Sequence, residues 1–156
     1  MRYVYGIGLT SALLGLPACG QRRPAAEPAS SDGRQSIEVP VEVRDAIRLE
    51  MRTMLGSLHT LLAAGARGDT LAMREAAARS GLAPSADVAL EKLLPEKFLK
   101  LGMSTHRQFD ELAVALPTGL PADSLVARLG RITANCVACH ETYGLATPPT
   151  VPSPRP

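Results

Sequence analysis

Cys136-Val137-Ala138-Cys139-His140 lies on the last apolar stripe of the chain, in which Leu125, Leu129, Ile132, Cys136, Cys139 and Tyr143 recur at steps of three and four. That recurrence is one face of an α-helix, so both thiols fall on the side that seeks burial. Two cysteines three residues apart on a helix have Cβ atoms about 5–6 Å apart. That spacing suits addition to the two vinyl groups on one edge of a porphyrin. The histidine that follows is carried under the ring, where its imidazole can bind iron as a proximal ligand. C-x-x-C-H is the attachment signature of a c-type haem. The competing readings are half of a zinc site, a redox dithiol, and chance. A four-ligand zinc site usually needs a second ligand pair, and the only other cysteine is Cys19. A thioredoxin-like dithiol calls for a βαβ context, and no credible strand is visible nearby.

Outward from this stretch, the fourth helix starts at Pro121, with Asp123 in the first turn, where the helix dipole favours an acid. The third starts at Pro95; Phe98, Leu101, Thr105, Phe109, Leu112 and Leu116 form its inner face, and Pro117-Thr118-Gly119 breaks it. The second, Ala-rich, runs from Thr70 to Ser80 behind a capping Asp69 and is closed by Gly81. The first starts near Pro40 and carries Val43, Ile47, Met51, Met54, Leu58, Leu61 and Leu62 to a stop at Arg67-Gly68. Pro84 to Leu94 connects the second and third helices, with a helical turn expected around Ala86–Leu90. The expected fold class is all-α: an antiparallel, up-down-up-down four-helix bundle holding a covalent haem over residues 39–145. Composition agrees. There is no tryptophan and only 3% of residues are aromatic, so a core of this kind has little to build around unless something large and apolar fills it. Formal net charge is +2, which gives no field to attract nucleic acid.

Residues 1–18 read as an export signal: Arg2, then a short apolar run from Val4 to Leu16, too short to span a bilayer comfortably. The run ends in Leu16-Pro17-Ala18-Cys19-Gly20, which resembles a bacterial lipobox, with Pro17 departing from its usual small or aliphatic residue. On that reading Cys19 becomes the lipidated N-terminus and holds the protein at a membrane surface, in the periplasm or cell envelope. The alternative is ordinary cleavage near Ala18. Residues 19–38 then form an anchor and disordered linker, in which Arg22 and Arg23 could touch anionic headgroups. Residues 146–156 form a Pro-rich disordered tail.

An export signal, four helices, and C-x-x-C-H on the last of them resemble the cytochrome c prime family, the class II c-type cytochromes. The resemblance covers about residues 40–144, and Cys136, Cys139, His140 and Tyr143 carry it. Gly144 stands where the family usually has a basic residue, which implies that an arginine near the proximal histidine is missing. Family members divide by what the first helix offers the iron: an apolar side chain leaves it five-coordinate, and a methionine makes a sixth ligand. Met51 or Met54 could be that distal ligand, with Met51 ahead; the nearest count along the family's helix lands on Arg52. Both methionines could instead only pack in the core. His106 is a less favoured candidate for the distal side, and His59 less again. The resemblance also implies dimers through the first two helices.

The expected cofactor is one haem c with iron, and the expected partners are redox proteins. The expected function is electron transfer. The alternatives are a five-coordinate haem protein that binds nitric oxide or carbon monoxide, and a lipid-anchored helical bundle without haem. No Ser–His–Asp pattern, phosphate-binding glycine loop or paired carboxylates suggest an enzyme.

Overall fold

The computed structural model describes residues 32–85 and 92–148. The export signal, Cys19 with its lipobox, the linker before residue 32, the turn expected around Ala86–Leu90 and the tail from residue 149 lie outside the described residues. What is described is an all-α fold with one short ladder. Strand β1 (Gln35–Glu38) leads into α1 (Val41–Gly65), α2 (Thr70–Arg79) and the short α3 (Leu82–Ser85). There follow α4 (Glu96–Ala115), a 3-10 turn (Leu116–Thr118), α5 (Ala122–Thr142) and strand β2 (Tyr143–Ala146). None of the described helices is long and apolar enough to cross a membrane.

Local chemistry sets the helix ends. Pro40, Pro95 and Pro121 are N-cap residues with extended ψ between 140° and 152°. The carbonyl of each accepts the first backbone bond of its helix, from Arg44, Leu99 and Leu125 respectively. A proline suits that place because its fixed φ is already near the required value and its missing N–H has no partner to lose. Between α1 and α2, Gly68 turns the chain at φ +69°. Asp69 then accepts a bond from the Ala72 amide at 3.0 Å and caps α2.

The long helices pack as neighbours in sequence, α1 on α2, α2 on α4 and α4 on α5. Small residues permit the close approach: a methyl group added at Gly65 would stand 2.9 Å from Leu125. The core is divided into two clusters. One gathers Leu61 and Ala64 of α1, Met73, Ala76 and Ala77 of α2, Phe109 and Leu112 of α4, and Leu125, Leu129 and Ile132 of α5. Each large side chain buried here contributes roughly 1.5–3 kcal/mol. The other gathers Ile37, Val39, Ile47, Phe98 and Tyr143 at the opposite end, where the rings of Phe98 and Tyr143 meet edge to face at 5.5 Å. The second half of α1 thus lies beside the first half of α5, and the start of α1 beside the end of α5. The two helices run antiparallel.

The ladder corrects the expectation that the chain holds no strand. β1 and β2 pair in parallel, Gln35 with Tyr143 through Glu38 with Ala146, and the Val39 amide extends the ladder to the Ala146 carbonyl at 3.0 Å. Residues 35–38 were expected in the linker, and Tyr143 on the last helix. The ladder forms because Ile37, Val39 and Tyr143 are buried together, a partnership across more than a hundred residues that no local pattern announces.

Candidate cofactor site

A cavity of about 450 Å³ lies between the two core clusters. Cavities of roughly 300–1,000 Å³ hold small molecules and cofactors. Three helices wall it. α1 supplies Ile47, Met51, Met54 and Leu58; α4 supplies Phe98, Leu101 and Met103; α5 supplies Cys136, Cys139 and His140. The wall is therefore largely apolar, and all three helices add sulfur or imidazole to it.

The structure brings the main sequence-predicted residues to one place. Cys136 and Cys139 are half-buried and His140 is exposed at the cavity edge. The Cys136 thiol donates to the Ile132 carbonyl at 3.4 Å, the ordinary resting contact of a helical thiol. Burial pushes both thiols above their usual range, and at Cys139 the neighbouring Cys136 adds to the rise. A redox or nucleophilic dithiol needs the opposite shift. Among the described residues no three His, Cys, Asp or Glu side chains are grouped to hold a metal ion. Cys136, Cys139 and His140 line one wall without converging on a common point.

Met51 and Met54 both line the cavity from α1 and both are half-buried. Arg52 lines it too, but is exposed. His59 is exposed and is not part of the wall. His106 is buried at the edge of the cavity, and both its ring nitrogens are engaged. Nδ1 lies 2.8 Å from the Ser80 carbonyl oxygen and Nε2 lies 3.3 Å from Glu50 Oε1. A histidine held this way has no nitrogen to turn toward an iron in the cavity.

Glu50 is the participant that sequence reasoning missed. It stands one residue before Met51 but pairs with a histidine 56 positions away, and nothing local marks that pairing. Two acceptors face the two ring nitrogens, which favours an imidazolium that donates to both. Burial alone would lower the His106 pKa. The hydrogen bonds the ring donates to Glu50 and to the Ser80 carbonyl, and the charges of Glu50 and Asp110, outweigh it, and the net shift is upward. A pKa raised by folding stabilises the native state fully below the unfolded value of about 6.5 and loses that contribution as pH rises through the folded value. The urea midpoint is therefore expected to fall as pH rises above about 6.5. In a His106→Gln variant that decline is smaller; an equal decline in both proteins would mean that the Glu50–His106 pair does not contribute.

A second polar group ties α4 to α5 beside the thiols. Asn135 Nδ2 donates to Ser104 Oγ and Thr105 Oγ1, each at 3.3 Å. These bonds fix the turn of α5 that carries Cys136. Comparison with protein-family models, with curated proteins and with solved structures gives no match to this chain.

Proposed function

We propose that the chain is a c-type cytochrome: an up-down-up-down four-helix bundle that carries electrons in the bacterial cell envelope, tethered through a lipidated Cys19. The observation that carries this reading is the shared cavity, with Cys136, Cys139 and His140 on one wall and Met51 and Met54 on the facing one. Its volume and apolar lining fit a porphyrin; the thiol environment, and the lack of a converging ligand set among the described residues, favour this reading over a dithiol or a zinc site.

Haem bound here would supply an iron that takes up and returns one electron. Cys136 and Cys139 would hold the haem, each through a thioether made by adding its S–H across one vinyl double bond, with sulfur on one carbon, hydrogen on the other and no oxidant consumed. His140 would supply its imidazole to the iron. A methionine thioether from α1, if it bound the iron, would favour the reduced metal and raise the potential. The apolar residues of α1 and α4 exclude water. The exposed side chains of Leu55 and Val137 stand at the mouth of the cavity, where a redox partner protein would approach. On this reading the protein is an electron carrier and not an enzyme.

A second reading has an observation of its own. Leu55, Leu58 and Leu101 also line the cavity, and apolar cover of this kind suits a five-coordinate haem that takes up nitric oxide or carbon monoxide. Haem staining of the denatured chain, with an absorption spectrum of the native protein, tests both. Retained stain with sharp α and β bands supports the electron carrier. Retained stain with a high-spin spectrum supports gas binding. A chain without stain is a helical bundle that carries no covalent haem.

A further inference from the structure

α5 stops at Thr142, and the carbonyls of its last turn lose their intrahelical partners there. The Tyr143 amide serves the Cys139 carbonyl. The next carbonyl, that of His140, is served from the other end of the sequence. Arg34 Nη1 donates to the His140 carbonyl and to the Tyr143 carbonyl, 3.3 Å each. The opposite edge of the same guanidinium is braced by Asp32: Nη2 lies 2.6 Å and Nε 2.8 Å from Oδ2. The Arg34 amide also donates to Asp32 Oδ1 at 3.2 Å. The residue after Arg34 begins β1, whose register sets Gln35 opposite Tyr143. A planar fork with five donors can serve two carbonyls and a carboxylate together; an ammonium group cannot hold that arrangement.

We infer that Arg34 is a positioning residue for His140, and that the segment Asp32–Glu38 is therefore a working part of the cofactor site. The inference rests on the haem reading above, because it concerns the imidazole assigned to iron. The backbone of that residue would otherwise sit in a fraying last turn. Arg34 holds the carbonyl of His140 itself, the parallel ladder holds Tyr143–Ala146 just past the end of the helix, and buried Ile37 and Val39 anchor the segment to the core. The backbone that carries the imidazole is thereby held in one conformation.

The test is the iron–histidine stretching band of the ferrous holoprotein, read by resonance Raman just after photolysis of its carbon monoxide adduct. In this state the histidine is the iron's axial protein ligand, whatever the distal residue. The unaltered protein is expected to give one narrow band. Arg34→Gln broadens and shifts it; Arg34→Lys, which keeps the charge and loses the fork, falls between the two. Leu112→Val, in the other core cluster and away from the cavity wall, lowers the melting temperature but leaves the band in place, which separates positioning from stability. Asp32→Asn removes only the brace, broadens the band less, and decides the matter if Arg34→Gln yields no folded holoprotein. An unshifted, unbroadened band in both Arg34→Gln and Asp32→Asn, with haem still covalently held, overturns the inference. Absence of covalent haem from the unaltered protein instead overturns the reading on which it rests.

Discussion

The chain in which serine replaces both Cys136 and Cys139 is expected to carry no covalent haem after denaturation, whereas each single variant retains one thioether and a weaker stain. A serine hydroxyl does not add to a vinyl group under the conditions that couple a thiol, so the covalent link disappears with the sulfur atoms. The larger effect concerns folding. The cavity measures about 450 Å³; at about 24 cal/mol for each Å³ left empty, a dry void of that size would cost on the order of 10 kcal/mol. This is comparable with the whole stability of an ordinary domain, about 5–15 kcal/mol. The cavity opens beside Leu55 and Val137, and water entry makes that figure a ceiling. The doubly substituted chain is thus expected to melt well below the haem-loaded protein and to bind a hydrophobic dye as the core loosens. Covalent haem stain persisting in the double variant would show that attachment does not run through these two thiols.

The long helices were visible because each carries an apolar stripe between proline and glycine signals: α1 between Pro40 and Gly68, α4 after Pro95, α5 after Pro121. Burial of Ile47, Leu61, Phe109, Leu112, Leu129 and Ile132 follows those stripes. The grouping of Cys136, Cys139 and His140 with Met51 and Met54 was also legible, because helix periodicity sets them on inward faces and antiparallel packing brings those faces together. The ladder was not. Gln35-Ser36-Ile37-Glu38 is too short to signal a strand alone, and Tyr143 continues the helical spacing of Leu125 through Cys139. Only the partner strand makes either segment extended. Arg34 was hidden for the same reason: the guanidinium that serves the end of α5 arrives through tertiary structure. His106 sat at the edge of a stripe, where exposure is the ordinary expectation. Glu50 and the Ser80 carbonyl make its burial affordable.

The axial position facing His140 can be argued from the two clusters. Met51 and Met54 stand one turn apart on α1, so their Cα atoms differ by about 4.5 Å in height, and only one sulfur can stand over an iron held by His140. Met51 packs with the cluster that contains Tyr143 and touches Cys139. Met54 packs with the other cluster, beside Leu61, Phe109 and Ile132. In the antiparallel arrangement Met51 therefore lies at the level of the Cys139–His140 turn, and Met54 lies one turn farther from it. Met51 is the expected sixth ligand. Methionine to leucine nearly conserves volume and usually costs under about 1.5 kcal/mol, so each side chain can be exchanged without emptying its site. Met51→Leu is expected to abolish the near-infrared methionine–iron charge-transfer band of the ferric protein and turn a low-spin spectrum high-spin. The potential should drop with the loss of the thioether. Met54→Leu keeps the band. Loss of the band in Met54→Leu alone would move the ligand one turn along α1. A high-spin unaltered protein with no such band would reject methionine ligation, leave the far side of the cavity to Leu55 and Leu58, and make carbon monoxide or nitric oxide binding the function to measure.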